Sequence, residues 1–514
     1  MPPPSSAADV RQRAAKLERA GDLEGALEAY QAALALAPDD AGLLAAVAAL
    51  AGRLGMPEIA SRLWGRVVVL DPSRLDAADG QAVALRELGR FDEAVEILRG
   101  AINAHPADAR LWNTLGVTLV QQAQPETALT FFDEAVRLDP RSATALYNRG
   151  GAKFDLGDLP AAAADFALAR KAARKPADAA MIAFAQATLR LAAGELGVGW
   201  DDYEARFAHD LPGAPVFEAP GRRWRPADRL DGQAFLVVAE QGVGDEAMFA
   251  GVLPDLAAAL GPDGELHVAV EPRLVALFAR SFPAAHVTAH ATRTVAGRRR
   301  RSAPEASRRV QLWAPMASLM RGFRRSLADF PASPGYLRPD PARVAHWRGW
   351  LGAGPPAVGI TWRSGKVLGD RRRYYPPPAD WTPLLKTPGV RFVNLQYGDC
   401  AEELAAFRAA SGAAILEPPD LDLRDDLDDL AALTVALDQV VAVANATAAL
   451  AGASGAALAL LAPAHVWTDL GADAAKGACP WYPQARRLAP SAPGDWSDPI
   501  AEAAALAMAL AAGR

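Results

Sequence analysis

From its start to about residue 175 the chain sets large apolar, small and turn-forming residues on a pattern that closes every 34 positions. Pro38, Pro72, Pro106 and Pro140 share that step, as do Ala26, Ala60, Ala94, Ala128 and Ala162. Tyr30, Trp64, Leu98, Phe132 and Phe166 form a third column, four positions after the alanines. Gly21, Gly55, Gly89 and Gly157 form a fourth, interrupted only by Ala123. The pattern predicts pairs of helices. Glycine supplies a left-handed turn between the two members of a pair. The small alanine lets the helices approach, the large apolar residue fills the space beside it, and proline stops the second helix. One pair cannot cover its own apolar face, so neighbours stack and a terminal unit closes the array. Residues 177–210, with Trp200, Tyr203 and Phe207 along one helical face, are expected to be that cap.

Beyond a Pro/Gly/Arg-rich linker, placed at 211–231, the texture changes to short apolar runs separated by helical stretches. The runs are Phe235–Ala239, Leu266–Val270, Val310–Trp313, Ala357–Thr361, Arg391–Leu395, Val440–Val443 and Ala457–Leu461. Strands alternating with helices predict parallel sheets built from right-handed crossovers. The proline-rich stretch Pro334 to Pro341 divides the series, giving a first lobe at 232–335 and a second at 336–514 with a C-terminal helix. Each lobe is expected to be a Rossmann-type sheet, with a cleft between them.

Composition narrows the function. The 514 residues exceed one ordinary core, and 51% hydrophobic with 22% charged residues is a globular balance. A net charge of −6 offers no general attraction to nucleic acid or anionic lipid. Cys400 and Cys479 are the two cysteines, so neither a disulfide framework nor a zinc cluster is expected. No uncharged apolar run reaches the roughly 18 residues that span a bilayer, and Met1-Pro-Pro-Pro-Ser-Ser is unlike a signal peptide. A cytoplasmic protein without a membrane span follows as the expectation. The basic stretch Arg293 to Arg309 is expected to be a solvated loop rather than an anion site.

Candidate chemistry gathers after the strands, where ligands bind in such sheets. The first strand runs into Glu240-Gln241-Gly242-Val243-Gly244-Asp245-Glu246. Gly242-x-Gly244-x-x-Ala247 resembles a dinucleotide fingerprint, with Glu271 in place of its ribose-binding acid. Two carboxylates at the helix start would repel a pyrophosphate there. Asp245 suits either proton abstraction from an acceptor hydroxyl or simple helix capping. Arg363 and Ser364, with the arginines of Asp370 to Arg373, offer charge-assisted donors to an anion or form a solvated loop. Gln396 and Tyr397 close another strand with polar groups. Asn445 and Thr447 open a helix of small residues whose N–H groups suit either a phosphate or close packing. The acidic run Asp420 to Asp429 lacks the glycine and glutamate of a calcium loop. It is expected to be a solvated loop and helix cap. No metal site and no tightly bound cofactor are expected.

The 34-residue columns, with Trp112-x-x-Leu115-Gly116, identify the first part as tetratricopeptide repeats, whose concave groove implies a protein partner. Glu240-Gln-Gly-Val-Gly-Asp245, Leu437-Asp438, Leu450-Ala-Gly-Ala453 and Cys479-Pro-Trp481-Tyr-Pro483 resemble bacterial proteins that fuse such repeats to a GT-B glycosyltransferase. The resemblance covers nearly the whole chain. It implies an acceptor-side first lobe, a nucleotide-sugar side second lobe, and donor or acceptor contacts from Gln241, Gly242, Gly244, Arg363, Ser364, Arg373, Gln396, Tyr397, Asn445 and Thr447. The first lobe also resembles lipopolysaccharide heptosyltransferases, in which the Gly-Asp pair matching Gly244 and Asp245 holds the catalytic base. Those relatives carry Asp-Thr and then His where this chain has Ala444-Asn445 and then Ala449, which points away from ADP-heptose. The segments at Trp362-Arg-Ser-Gly, Leu395-Gln-Tyr-Gly-Asp and Asp426-Leu-Asp428 are similar instead to flagellin glycosyltransferases. In that family the repeats capture flagellin and a CMP-activated nonulosonic acid is attached to Ser or Thr. The alternatives are a lipopolysaccharide or capsule sugar transferase and a non-catalytic repeat scaffold.

Overall fold

A computed structural model describes residues 6–513, apart from 212, 241, 296–297, 307–308, 366–372 and 474–475. The chain forms two compact units: one of residues 1–153, 167–172 and 368–373, the other of 154–166, 173–367 and 374–514.

In the first unit and the start of the second, the second helix of each repeat ends 34 residues after the last, at Leu36, Leu70, Ala104, Leu138 and Ala172. The alanine column is buried to 1% exposure or less, and the large residues beside it are all buried. Left-handed backbone recurs at Gly21, Gly55, Gly89 and Gly157, with φ from 72° to 85°. Ala123 takes the same conformation at φ 60° without being glycine. The repeat register therefore overrides a local steric cost.

The second unit holds the strands. They are β1 Val216–Glu218, β2 Arg222–Arg223, β3 Ala234–Val238, β4 Glu265–Val270, β5 Ala285–Ala289, β6 Ala291–Val295 and β7 Arg298–Ser302. Then come β8 Leu312–Pro315, β9 Ala357–Thr361, β10 Arg391–Asn394, β11 Ile415–Leu416, β12 Gln439–Val443, β13 Leu458–Leu461 and β14 Arg486–Leu488. One sheet runs β2-β8-β3-β4-β5 and another β11-β10-β9-β12-β13-β14, both with every described pair parallel. The strands β3, β9 and β12 are buried at every residue, as expected of sheets covered on both faces. In chain order the second sheet reads 3-2-1-4-5-6, the doubly wound arrangement, and its order reverses between β9 and β12. In the first sheet the reversal lies between β3 and β8.

Three expectations are corrected. The basic stretch is no loop: β6 and β7 pair antiparallel, and β1 joins β7 in a small third sheet. Glu218 accepts from Arg293 and Arg300, and Arg301, 8% exposed, donates 2.7 Å to the carbonyl of Ala239, so charge pairing offsets the repulsion along the strand. The linker 211–231 is likewise built in, since it supplies β1 and β2. Finally, the segment expected to cap the repeats is part of the second unit's core. Trp200 and Tyr203, each 1% exposed, stack edge-on against each other and lie beside Phe249, Trp467 and Trp481. The partners of these rings are residues of the α/β part, and Phe207 is only half-buried.

Candidate active site

In the second sheet the site is organised by two amide side chains at the reversal point. Gln396, 1% exposed after β10, accepts through Oε1 from Thr361 Oγ1 and from the N–H groups of Trp362 and Arg363, at 3.0–3.1 Å. Its Nε2 donates 3.0 Å to the carbonyl of Tyr397. Asn445, which caps the helix Ala446–Ala453, donates to Thr361 Oγ1 at 2.8 Å and to the carbonyl of Arg363 at 3.1 Å, and accepts from Ala448 N–H. The loops after β9, β10 and β12 are thereby joined into one rim.

Expected ligand contacts on this rim are revised by the packing. Gln396 spends its amide on backbone groups and the Thr361 hydroxyl and holds the rim. Arg363 donates from Nε and Nη2 to both oxygens of Glu403 at 2.7–2.9 Å, and to the carbonyl of Asp399 at 2.6 Å. The hydrogen bond to Glu403 holds its guanidinium above the ordinary value, and the pair carries no net charge toward a ligand. Thr447 is wholly buried, which takes its hydroxyl off the surface. Ser364 is half-buried 3.5 Å from the Tyr397 hydroxyl, and that hydroxyl accepts from Gly365 N–H at 3.1 Å. Arg373 groups with the repeat unit, and Asp370 to Arg372 lie outside the described residues, as does Gln241.

In the first lobe, Gly242 is exposed and caps the helix Val243–Phe249. Asp245 stands half-buried in the helix's first turn and accepts from Gly242 N–H at 3.1 Å. Its neighbours are committed elsewhere. Glu240 is 1% exposed and ion-paired with Arg206. Glu246 is 1% exposed, accepts from the N–H of Glu271 at 2.8 Å, and sits 3.1 Å from His290. Glu271 accepts from the N–H and Nε of Arg273, so it is turned to its own turn and not to a ribose. Asp245 is the acid of this segment that burial leaves partly accessible.

The two lobes meet at this point. A Cβ on Gly244 would lie 3.3 Å from Cα of Ala446 and 3.7 Å from Cβ of Ala449. The small residues of both helix starts therefore bring the Asp245 turn against the rim that Asn445 organises. This corrects the expectation of an open helix N-terminus at Asn445, because the first lobe's glycine turn stands against it. Below, Tyr336 donates 2.9 Å to the carbonyls of Ala247 and Met248, and Tyr482 packs so closely on Gly452 that a Cβ there would be 2.5 Å from its ring. Burial pushes the Tyr482 hydroxyl well above its usual range. The acidic run is the loop and helix cap expected, with Asp420, Asp422 and Asp425 exposed. Asp426 caps the helix Leu427–Ala436, and Asp428 takes a bidentate 2.8 Å contact from Arg280 of the first lobe. Asp425 meets Arg273 at 3.1 Å. These cross-lobe pairs were not foreseen, since the partners lie about 150 positions apart. Among the described residues no group of three or more His, Cys, Asp or Glu is placed to hold a metal ion. No described helix is long and apolar enough to cross a membrane.

A family model for a bacterial transcriptional activator domain matches residues 6–142, and one for a tetratricopeptide repeat matches 113–179. Protein FlbA of Caulobacter vibrioides is 44% identical over 483 residues, 93% of this chain and 80% of that protein. The TPR repeat-containing thioredoxin TDX of Arabidopsis thaliana is 34% identical over 105 residues, 20% of this chain and 28% of its own. Among solved structures, a thermophilic TPR protein of Thermus thermophilus matches with 21% identity and a TM-score of 0.32, over 36% of this chain and all of that one.

Proposed function

The chain belongs to the family of protein FlbA, and from that premise we propose that it is a protein O-glycosyltransferase. The repeat array holds a protein acceptor, flagellin, and the paired sheets work as a GT-B transferase that moves a nonulosonic acid from a CMP donor to a Ser or Thr hydroxyl. The observation that carries this reading is the apposition of the Asp245 turn with the helix at the second sheet's reversal point, through Gly244 and Ala446. Ligands of doubly wound sheets bind at such points. A donor held on the Asn445 rim would lie against the first lobe's partly accessible carboxylate.

In this reading the acceptor oxygen attacks the anomeric carbon as Asp245 takes its proton. The bond from that carbon to the phosphate oxygen breaks, and CMP leaves with the electron pair. A hydroxyl is a weak nucleophile at neutral pH, so a positioned carboxylate acts where help is needed. Gln396 and Asn445 keep the rim rigid, and Arg363 with Glu403 supports it from the β10 side.

The test is to incubate the full chain with flagellin and CMP-, UDP- or ADP-sugars and follow the acceptor by intact-mass spectrometry. Mass gain from a CMP-nonulosonic acid supports the proposal. Gain from ADP-heptose alone would return the donor to the heptosyltransferase type, and no gain from any donor would leave a repeat scaffold.

A further inference from the structure

The first residue of the Glu240–Asp245 segment has a role that the transfer chemistry does not use. Glu240 ends the run that carries β3, five residues before Asp245. Its carboxylate takes Arg206 Nε at 2.9 Å and Nη2 at 2.8 Å, and the N–H of Ala317 at 2.9 Å. Ala317 follows β8, so Glu240 bridges the reversal point of the first sheet, as Asn445 does in the second. Arg206 comes from the turn Tyr203–Phe207 and is 5% exposed. Its remaining N–H groups reach Ser318 Oγ at 3.0 Å, Glu204 Oε1 at 2.9 Å and the carbonyl of Tyr203 at 3.0 Å. All five donors of the guanidinium are engaged, and its Cζ lies over the Phe207 ring, 3.9 Å from the centroid. Burial works against this charge, and Glu240 and Glu204 outweigh it.

A buried ion pair adds little stability over apolar residues of the same volume, because desolvation consumes the attraction. What it does supply is direction: fixed bonds at the root of the loop that ends in Asp245. We propose that Arg206 is a positioning residue for Asp245, acting through Glu240. The segment 196–207 is then a working part of the transferase unit. This rests on the assignment of Asp245 as the base.

The test is the paired replacement Arg206→Met with Glu240→Met in the full chain, which exchanges the ion pair for apolar volume. The expected variant folds with a somewhat lower melting midpoint, because the Ala317 N–H and Glu204 lose a partner, and keeps its CMP affinity and its KM for acceptor. Its kcat falls about a hundredfold, as a misplaced reacting group does. Amide exchange should quicken in the peptide 239–249, beside the direct loss at the Ala317 N–H and in the turn Tyr203–Phe207, whose bonds the replacement removes. A kcat within about twofold of the parent, with unchanged exchange in 239–249, would overturn the proposal. Should the pair fail to fold, Arg206→Lys, which keeps the charge and loses the fork, must show the same fall in kcat without a change in KM. A parent-like kcat in Arg206→Lys, or its failure to fold, makes Arg206 a residue of stability alone. If the parent chain transfers no sugar, the transferase reading fails by itself, and the exchange pattern still decides whether Arg206 holds the loop.

Discussion

Gly244 and Ala446, 202 positions apart, lie so close that a side chain on the first would press on the backbone of the second at 3.3 Å. Neither residue carries chemistry. Their smallness is what allows a carboxylate from one sheet to stand beside the reversal point of another. Gly244→Val should therefore fold, since Gly244 is not in the left-handed region, yet it should part the two helix starts. The expected result is at least about tenfold slower transfer with a lower melting midpoint, since such overpacking costs about 1–3 kcal/mol. Gly244→Ala, adding one carbon, should fall between.

The rim makes a second prediction. Asn445→Ala removes two donated bonds and the helix cap, at a cost of about 1–2 kcal/mol. Donor affinity, measured by calorimetry with CMP, should fall with it, because the loops after β9 and β12 lose their tie. Arg363→Ala should weaken CMP binding less than a direct phosphate contact would, since Glu403 already neutralises the guanidinium.

Much of this was legible in the chain. The repeat columns depend on local spacing, so their helices follow from it, and the seven strands read as apolar runs are strands. The pairings that build the site were not legible. Gln396 and Asn445 look like ligand contacts because they are polar residues at strand ends, and only the fold shows that backbone groups and the Thr361 hydroxyl engage their amides. Arg280 meets Asp428 across lobes without any motif to link them. The strands β1, β2, β5, β6, β7, β11 and β14 were not legible: β1, β2, β11 and β14 are only two or three residues long, and β5 to β7 carry polar residues or a run of arginines in place of an apolar run. The motif Cys479 to Pro483 resembled a family without a stated role. The structure gives Trp481 one, as the ring on which Trp200, Phe249 and Phe330 converge.

Domain limits supply a third prediction. A fragment of residues 154–514 contains all of the second compact unit and should unfold cooperatively. A fragment starting at 211 lacks Trp200, Tyr203 and Arg206, all at 5% exposure or less. Losing a buried aromatic costs about 3–5 kcal/mol, so this shorter fragment should be insoluble or molten. Equal stability of the two by denaturant titration would return residues 196–207 to the repeats.

The repeat array offers a fourth. Ala123 holds φ 60° where its counterparts are glycine. Ala123→Gly relieves a steric cost of about 1–2 kcal/mol and adds backbone entropy worth about 0.5–1 kcal/mol. The net expectation is a gain of about half to one kcal/mol, read as a higher melting midpoint in the full chain. A lower midpoint would show that the turn is not strained.

The central claim is that Asp245 takes the acceptor's proton, and Asp245→Asn tests it most directly. Asparagine keeps the size and can still accept from Gly242 N–H, but it cannot hold the proton. The measurement is sugar transfer to flagellin by intact mass, beside calorimetric affinities for CMP and for the acceptor. The expected variant folds, binds both partners as the parent does, and transfers at least about a hundredfold more slowly. Transfer at the parent's rate would leave Asp245 a helix cap and contradict the account, because Glu240 and Glu246 are already held by Arg206 and by the Glu271 backbone.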